Sequence, residues 1–578
     1  MKHSVTAIAV SVLVAISCGH TLKDGDYTLT VLSTNDVHGA WFDSTYTGQG
    51  IRKSLFAVNH YVDSVRMADG PANVLLIDAG DCLQGDNAAY YYNYVEKGKE
   101  HLFSRLVSYM KYDAVIAGNH DIETGHPVYD RIAAELKSEG IPLLAGNVVR
   151  TDGTGSYFPL YTIVDKAGLR VAILGYENAN IKAWLGEELW SGMDFIPIVS
   201  VIQRDVDYVR SKEKPDVVIA ALHSATGKGD GTVLESEGMD VFNMVKGVDF
   251  VLCGHDHIPY VETRDNSGFL NSGSHSRFLA HGKLHIKVQG GKVVSKSYET
   301  DLIPVDAAKA DPVMREAFRE DFLAVKAFTL REVGTLTCDI RTAESFGGQS
   351  AYSNVLHMLS LSQGDAQISF AAPLTFNKTV KAGTLVFNDL FTIYPFENQL
   401  YIISMTGEEV RQYLEASYDN WVDVPGAAHA LKIKNGDNPR TGEKQWSFVG
   451  TSFNFDTAAG INYDVDLSKP FGRRIVIKSM ADGSPFSLDK TYHVAMTSYR
   501  ASGGGGLLKA AGITSDELDR RTVARYPEIR NILYDYLRVS GVLDPYAYGA
   551  TLGSWQFVPD AAAKKVAEDM RLLFPKLF

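Results

Sequence analysis

Two histidines one residue apart follow a short apolar run in the segment VLCGHDHIP, residues 251–259. In an extended segment, residues i and i+2 lie on the same side of the chain, so His255 and His257 could direct two imidazoles to one point. An isolated pair of this kind is more typical of a polar turn after a strand. Metal binding therefore has to be argued from what the rest of the chain places beside the pair.

Four other apolar runs in the first half of the chain end in the same way, at side chains that commonly bind metals. They are YTLTVLSTNDVHG (27–39), NVLLIDAGD (73–81), AVIAGNHD (114–121) and DVVIAALHS (216–224). In α/β sheets, ligands bind beyond the carboxyl ends of the strands, where the loops converge. We therefore expect the five strand ends to form one site. The candidate metal ligands are Asp36, His38, Asp81, Asn119, His223, His255 and His257.

The chemistry of these side chains favours divalent cations of intermediate softness. Carboxylate, amide oxygen and imidazole together suit Zn, Mn, Fe or Co. The candidates are too many for one tetrahedral ion, and their number fits two ions that share a bridging carboxylate. Paired ions about 3.5–4 Å apart recur in enzymes that hydrolyse phosphate esters, because they neutralise phosphate oxygens and lower the pKa of a bound water.

The elements that must position these residues alternate between short apolar runs and helical patterns, for example at 102–110 and 130–140. This alternation predicts an α/β layered domain with largely buried strands. Near residue 300 the pattern changes to one amphipathic helix, with Asp311 as its predicted N-cap. The apolar face of this helix consists of Met314, Phe318, Phe322 and Val325. The predicted organisation is a first domain over 25–305, a linker helix within 306–334 and a second domain over 335–578.

The amino terminus predicts export. Lys2 precedes an apolar stretch at 5–16 that is too short to span a bilayer, and the stretch ends in AISC, which resembles a bacterial lipobox. Residues 1–18 are therefore predicted to be a lipoprotein signal peptide, with Cys18 lipidated and the protein held in the periplasm or at the outer membrane. A secreted protein without lipid is the alternative. The other cysteines, an odd number, argue against a disulfide framework; they are Cys82, Cys253 and Cys338.

Composition narrows the class of partner. A chain of 578 residues is too long for one core. The 56 Lys and Arg residues against 69 Asp and Glu residues give a net charge of -13, which argues against a nucleic-acid polymer as partner. A small anionic substrate remains compatible with this charge, because a local cation cluster can override the average field. We expect a monomer that binds a small molecule.

Five blocks in order carry a resemblance to a known family. They are DVHG (36–39), GD (80–81), GNHD (118–121), His223 and GHDH (254–257). In this order they resemble the calcineurin-like metallophosphoesterases, and nearly the whole mature chain resembles the two-domain 5′-nucleotidase family within them. The resemblance implies an α/β protein with an N-terminal four-layer αββα domain, joined by a helix to a C-terminal α/β substrate domain.

The same resemblance implies a role for each ligand. One ion would be held by Asp36, His38, Asp81 and His257, and the other by Asp81, Asn119, His223 and His255, with Asp81 bridging. The reaction implied is in-line attack of a metal-activated hydroxide on phosphorus, without a covalent enzyme intermediate.

A further histidine, His120, is implied to be catalytic because it would stabilise charge on a phosphoryl or leaving-group oxygen. The family commonly places a carboxylate three residues after this histidine, which here is Glu123. Asp121 is adjacent to His120, and the sequence leaves open which carboxylate is its partner. Asp78 is expected to be structural, as an acceptor for a ligand histidine.

The second domain is expected to bind the substrate. Phe453 and Tyr499 resemble the family's pair that sandwiches the nucleobase, and Arg500 is a third candidate for substrate binding. Stacking contributes roughly 1–3 kcal/mol per base. Core packing is the alternative interpretation for Phe453.

The position of the scissile phosphate on the nucleotide stays open. The blocks AAP (371–373), YPFEN (394–398), NFD (454–456) and YRASGG (499–504) resemble the branch that acts on 2′,3′-cyclic nucleotides and 3′-nucleotides. An NGGGIR-like block, typical of 5′-nucleotidases, is replaced, and Lys378 and Lys381 could substitute for its arginine. The predicted function is an exported two-metal nucleotide phosphoesterase of the 5′-nucleotidase family that scavenges nucleotides and phosphate. The alternatives are hydrolysis of 2′,3′-cyclic nucleotides and 3′-nucleotides instead of 5′-nucleotides, of UDP-sugars or of sulfur esters, and a surface lipoprotein that binds nucleotides without cleaving them.

Overall fold

The computed structural model describes residues 22–48, 50–437, 443–514 and 517–577. The predicted signal peptide and Cys18 lie outside the described residues. Among the described residues, no helix has the length and apolarity needed to cross a bilayer.

Fourteen strands lie in the described part of the first half of the chain. They are β1 (Gly25–Thr34), β2 (Val74–Asp78), β3 (Ala114–Ile116), β4 (Leu143–Leu144), β5 (Val148–Arg150), β6 (Tyr161–Lys166), β7 (Leu169–Tyr176), β8 (Met193–Phe195), β9 (Val217–Leu222), β10 (Phe250–Cys253), β11 (Pro259–Arg264), β12 (Ser267–Ser272), β13 (Phe278–Gln289) and β14 (Lys292–Pro304). The helices of this half are α1 (Leu55–Asp69), α2 (Asn87–Tyr90), α3 (Leu102–Met110), α4 (Asn119–Ile122), α5 (His126–Ser138), α6 (Ile181–Trp184), α7 (Glu187–Trp190), α8 (Ile198–Glu213) and α9 (Gly238–Met244).

Twelve of these strands form two six-stranded sheets that pack face to face, and β5 and β8 form a separate two-stranded sheet. One has the order β14-β13-β1-β2-β3-β4 and the other β11-β12-β10-β9-β7-β6. Apolar side chains such as Val31 and Ile77 of the first sheet and Ile173 and Ile219 of the second form the layer between them. Helices α1, α3 and α5 pack on the outside of the first sheet, and α8 and α9 on the outside of the second. The result is a helix–sheet–sheet–helix arrangement of four layers.

The strands that carry the candidate ligands are divided between the two sheets. The parallel neighbours β1, β2 and β3 belong to the first sheet, and the parallel neighbours β9 and β10 to the second. The site therefore lies where the carboxyl ends of two packed sheets meet. The apolar runs alone did not reveal this division, because a buried strand has the same composition in either sheet.

The linker is two helices, α10 (Pro312–Ala317) and α11 (Arg319–Thr329), instead of the single helix predicted. The Oδ1 atom of Asp311 accepts a hydrogen bond from the backbone N of Val313 at 2.8 Å, as its N-cap role requires. The break falls at Phe318, which leaves helical geometry at φ -110° and ψ 19°. Its ring stays buried in the core of the first half, so both helices keep their apolar faces on that core.

The second half has a smaller α/β core. Its strands are β15 (Glu332–Leu336), β16 (Ile340–Arg341), β17 (Ile368–Ala371), β18 (Thr379–Val380), β19 (Gly383–Val386), β20 (Gln399–Thr406), β21 (Ile433–Asp437), β22 (Lys444–Phe448), β23 (Thr457–Ala459), β24 (Ile461–Asp466), β25 (Ile475–Met480), β26 (Thr491–Thr497), β27 (Thr522–Glu528), β28 (Val542–Leu543) and β29 (Trp555–Val558). Its helices are α12 (Ala351–Leu361), α13 (Phe387–Ile393), α14 (Gly407–Trp421), α15 (Ser498–Ala501), α16 (Leu507–Ala510), α17 (Leu518–Arg521), α18 (Ile529–Ser540) and α19 (Asp560–Leu573).

The centre of this half is a five-stranded sheet with the order β23-β17-β26-β20-β27. Alternate residues of β20 enter different clusters: Ile403 and Met405 pack with α14, whereas Leu400 and Ile402 pack with α12 and α18. Helices therefore cover both faces of the sheet. Helix α15, which carries Tyr499 and Arg500, directly follows the central strand β26 and packs against α6 of the first half.

Candidate metal centre

Three of the candidate ligands form a first group: Asp36, His38 and His257. The Nε2 atoms of His38 and His257 lie 3.8 Å and 3.4 Å from Oδ1 of Asp36, and 2.9 Å from each other. Oδ1 of Asp36 is buried and has no hydrogen-bond partner. A buried, unpartnered carboxylate oxygen is costly, and a cation between these three atoms would remove that cost.

A second group consists of Asp81, His223 and His255, with Asn119 beside it. Nε2 of His223 lies 3.2 Å from Oδ2 of Asp81 and 3.1 Å from Oδ1 of Asn119. Nδ1 of His255 lies 2.8 Å from the same amide oxygen. The structure thus separates His255 from His257, which the sequence placed on one side of an extended segment.

The backbone explains that separation. His255 has φ 77° and His257 has φ 60°, so both are in the left-handed region and the segment is not extended. Ten non-glycine residues of the described chain have positive φ, and five of them are candidate ligands: Asp36, His38, Asp81, His255 and His257. Such conformations are unfavourable for residues with a Cβ and concentrate at functional sites. The extended geometry considered for the pair is therefore not the one adopted.

Glycines that precede the ligands allow the loops to approach one another. A Cβ on Gly118 would lie 2.3 Å from Oδ1 of Asp81, and a Cβ on Gly80 would lie 2.6 Å from Nδ1 of His223. Both distances are shorter than van der Waals contact. Gly80 and Gly118, which directly precede the ligands Asp81 and Asn119, are therefore required by a neighbouring ligand.

His120 lies beside the first group, with its ring centroid 5.3 Å from that of His38. Its Nδ1 atom is 2.6 Å from Oε2 of Glu123, which answers the question that the sequence left open. The carboxylate of Asp121 accepts instead from the backbone N atoms of the residues at 81, 82, 83 and 118, at 2.9–3.0 Å. Asp121 is therefore not the partner of His120; it holds the loop that carries Asp81.

Asp78 also has a structural position. It accepts from Oγ1 of Thr34 at 2.6 Å, from the backbone N of Gly80 at 2.9 Å and from Sγ of Cys82 at 3.2 Å. Burial raises the pKa of Asp78 to about 7. The expectation that Asp78 accepts from a ligand histidine was wrong, because its oxygens are occupied by the ends of β1 and of the Asp81 loop.

The electrostatics of the groups depend on burial and on Asp81. Burial lowers the pKa of His38 to about 3, although Asp81 acts in the opposite direction. Burial also disfavours charge on His223, but the carboxylates of Asp81, Glu177 and Asp36 together outweigh it and raise the pKa of His223 well above its usual value. For His120, burial is outweighed by Asp81 and Glu123, and its pKa rises to about 9. Asp81 thus acts on histidines of both groups, as a bridging ligand would, and a divalent cation would replace the protons it attracts.

The sequence did not point to several residues that support the ligands. Asn35 donates to Oδ2 of Asp36 at 2.6 Å, and its Oδ1 accepts from the backbone N of Ser272 at 2.8 Å. Trp184 stacks on His255 with ring centroids 5.1 Å apart. Glu235 lies 3.0 Å from Nε2 of His255. Asn35 directly precedes the DVHG block and was detectable there, whereas Trp184 and Glu235 lie in segments without a pattern.

The candidate substrate residues lie in different environments. Phe453 is 41% exposed. Burial raises the pKa of Tyr499, whereas the Arg500 guanidinium lowers it. Helix α15, which carries Tyr499, packs against α6, which carries Trp184. Arg500 is 3% exposed. Its guanidinium donates to the Asp456 carboxylate at 2.8 Å and to the backbone O of residue 504 at 3.0 Å.

Arg500 therefore holds the 453–456 and 504 segments together, and the expected contact of this arginine with substrate is not supported. Of the two lysines proposed as anion contacts, Lys381 pairs with Asp339 at 2.9 Å. The backbone of Lys378 bonds to Thr342 at 2.8 Å.

The chain matches two families. Residues 29–259 match the calcineurin-like phosphoesterase family, and residues 332–512 match the 5′-nucleotidase, C-terminal domain family. It is 24% identical over 628 residues to a 2′,3′-cyclic-nucleotide 2′-phosphodiesterase/3′-nucleotidase of Haemophilus influenzae, which covers 96% of this chain and 92% of that protein.

Two further relatives extend the comparison. The trifunctional nucleotide phosphoesterase protein YfkN of Bacillus subtilis is 23% identical over 617 residues, covering 95% of this chain, and this chain spans 40% of its length. The 5′-nucleotidase precursor from Thermus thermophilus superposes with a TM-score of 0.58 at 20% identity, covering 92% of this chain and 100% of that chain. These matches confirm the α/β fold class, the resemblance and the enzyme class drawn from the sequence.

Proposed function

We propose that this chain, a calcineurin-like metallophosphoesterase with a 5′-nucleotidase C-terminal domain, acts on 2′,3′-cyclic nucleotides and 3′-nucleotides. The observation that carries the catalytic part is the convergence of two ligand groups around buried carboxylates. Oδ1 of Asp36 in particular is buried and unpartnered with two imidazole nitrogens within 3.8 Å.

The residues present fit a pair of divalent cations. Asp36, His38 and His257 would hold one ion, while Asn119, His223 and His255 would hold the other, and Asp81 would contact both. When bound, such ions neutralise phosphate oxygens and lower the pKa of water.

His120 is the side chain that would donate a proton or hydrogen bond to the reacting phosphate. Glu123 occupies its Nδ1 atom, so Nε2 is the nitrogen that can donate to a phosphoryl or leaving-group oxygen. Although burial opposes it, the Asp81 and Glu123 carboxylates raise the pKa of His120, and a protonated ring would stabilise the negative charge that develops in the transition state.

The second domain would hold the base. The ring of Phe453 is partly open to solvent. Helix α15, which carries Tyr499, packs against α6, whose Trp184 stacks on His255, so a base bound at Tyr499 would lie on the side of the second domain that faces the ligands. Since the reacting phosphate and the base are bound by different domains, the enzyme would discriminate among nucleotides mainly through the second domain.

The proposed substrate class rests on the AAP, YPFEN, NFD and YRASGG blocks and on the similarity to the Haemophilus protein. The second candidate is 5′-nucleotides, because the matching C-terminal family is that of 5′-nucleotidases. The two substrate classes share the chemistry of the first domain.

The proposed location is outside the inner membrane, where a lipid on Cys18 would attach the protein to a membrane. The proposed functional unit is a single chain. The charge, apolar stretch and AISC of the first 18 residues support this proposal. Labelling of cells with a palmitate analogue tests it: the wild type should be labelled and C18S should not. Labelling that survives C18S would contradict the lipid anchor.

A substrate panel tests the function. Protein loaded with Mn²⁺ would be given 2′,3′-cyclic AMP, 3′-AMP, AMP, UDP-glucose and a thiosulfate ester, and product release would be measured with and without chelator. We expect the highest kcat/KM with the first two compounds and loss of activity with chelator. A higher kcat/KM for AMP or UDP-glucose would reject the substrate class, and binding without turnover would favour the non-catalytic alternative.

A further inference from the structure

Glu235 differs from the other residues that contact the ligand histidines. The nitrogen of His223 that faces away from its group contacts the carbonyl of Ala79 at 2.8 Å, and the corresponding nitrogen of His38 lies 3.3 Å from the carbonyl of Gln84. On His255 that position is taken by the Glu235 carboxylate, 3.0 Å from Nε2. Within the described residues, this is the one ligand histidine with a carboxylate on its outward nitrogen.

The position of Glu235 is fixed by the loop between β9 and α9. Its backbone O accepts from the backbone N of Ala225 at 3.2 Å, from Oγ of Ser224 at 3.2 Å and from Nδ2 of Asn178 at 3.0 Å. Ser224 directly follows the ligand His223, so one loop carries a ligand of the second group and the residue that contacts another of its ligands.

The imidazole of His255 is held by two contacts at once. Glu235 contacts its Nε2 edge, and the Trp184 ring stacks on it with an interplanar angle of 18°. These contacts leave Nδ1 directed at Asn119. A carboxylate hydrogen-bonded to a ligand histidine fixes the tautomer and makes the imidazole a stronger donor to a metal.

We propose that Glu235 is a positioning residue that selectively strengthens binding of the ion at Asp81, Asn119, His223 and His255, and thereby makes the two metal positions unequal. The proposal rests on the two-ion function proposed above. It predicts that loss of Glu235 converts a protein with two firmly held ions into one that retains one ion and exchanges the other.

The test is a metal titration. The metal-free wild type, E235A and E235Q would be titrated with Co²⁺, followed by calorimetry and by the visible absorption of bound cobalt. The matched control is D230N, because Asp230 is an exposed carboxylate of the same loop that bonds to Thr232 within the loop. Far-ultraviolet circular dichroism would verify that every variant is folded.

We expect two ions in the wild type and in D230N. In E235A one ion should keep its affinity and the other should bind about 10- to 100-fold more weakly, the usual effect of removing such a partner. E235Q keeps a hydrogen-bond acceptor without the charge, so its affinity for the weakened ion should lie between those of the wild type and E235A. Two unchanged affinities in E235A, or equal weakening of both ions, would overturn the proposal and leave the nucleotidase function untouched. A wild type that binds no ion would instead contradict the proposed function.

Discussion

The Nδ1 atom of His120 lies 2.6 Å from the Oε2 atom of Glu123, three residues further along the same helical turn. The contact fixes the ring between the carboxylate and the ligand group that contains His38. Because Glu123 occupies Nδ1, Nε2 is the nitrogen that the proposed mechanism uses as proton donor to the substrate.

Replacing His120 should reduce turnover without removing metal. General acid catalysis contributes about 10²–10⁴-fold, so H120N should lower kcat by that factor while its metal content stays at the wild-type value. E123Q keeps the shape of the partner but loses its charge, and should lower kcat by a smaller factor. Steady-state kinetics with elemental analysis measures both. A loss below tenfold in H120N would contradict the proposed role.

Gly118 should not tolerate a methyl group. The Cβ of G118A would lie 2.3 Å from Oδ1 and 2.5 Å from the backbone N of Asp81, so the bridging ligand would be displaced. We expect at least a hundredfold loss of kcat/KM, because misplacement by about 1 Å can cost 10²-fold. G348A is the control, since a Cβ on Gly348 meets no atom within 4 Å. Wild-type activity in G118A would show that the ligand loops are not held as described.

The sequence predicted the position of the site better than the contacts within it. Each apolar run that ends in a ligand predicted a strand and the edge at which the site lies, because buried strands have a simple composition. Local patterns could not show that Asp121 bonds to the Asp81 loop, that Arg500 is buried against Asp456, or that His255 contacts Glu235. Some of those contacts join residues that are distant in the sequence. Others depend on an unusual backbone conformation, such as φ 77° at His255, which local patterns do not predict.

The base-binding role of Phe453 and Tyr499 predicts an effect limited to substrates with a base. F453A and Y499A should each raise KM for nucleotides by about 5- to 150-fold, the equivalent of roughly 1–3 kcal/mol of stacking. The KM for p-nitrophenyl phosphate should not change. F376A is the control, because Phe376 is as exposed as Phe453, at 41%, in the same domain. An equal rise in KM for both kinds of substrate would indicate structural damage instead of lost stacking.

The second domain should lose stability in acid through His357. Its Nδ1 and Nε2 atoms lie 2.7 Å from Oγ of Ser369 and 3.0 Å from Oγ1 of Thr457, and burial lowers its pKa to about 3. An unfolded histidine has a pKa near 6.5, so the stabilisation is fully present above that pH and is lost as the pH falls towards 3.

By pH 5 the free energy of unfolding should have fallen by about 2 kcal/mol from this residue alone. Urea unfolding of wild type and H357Q at pH 7.5 and pH 5 measures the effect. The variant should be less stable at neutral pH but should lose less stability on acidification. An identical loss in both proteins would show that His357 is not responsible.

The most direct test of the two-ion centre is the number of divalent ions that one chain holds. Protein equilibrated with Mn²⁺ or Zn²⁺ and then passed through a desalting column would be assayed by elemental analysis, together with D36N and D81N. We predict about two ions in the wild type, about one in D36N and fewer than one in D81N, because Asp81 would serve both proposed positions. A wild-type chain with one ion or none, or a D81N chain that keeps two, would contradict the account.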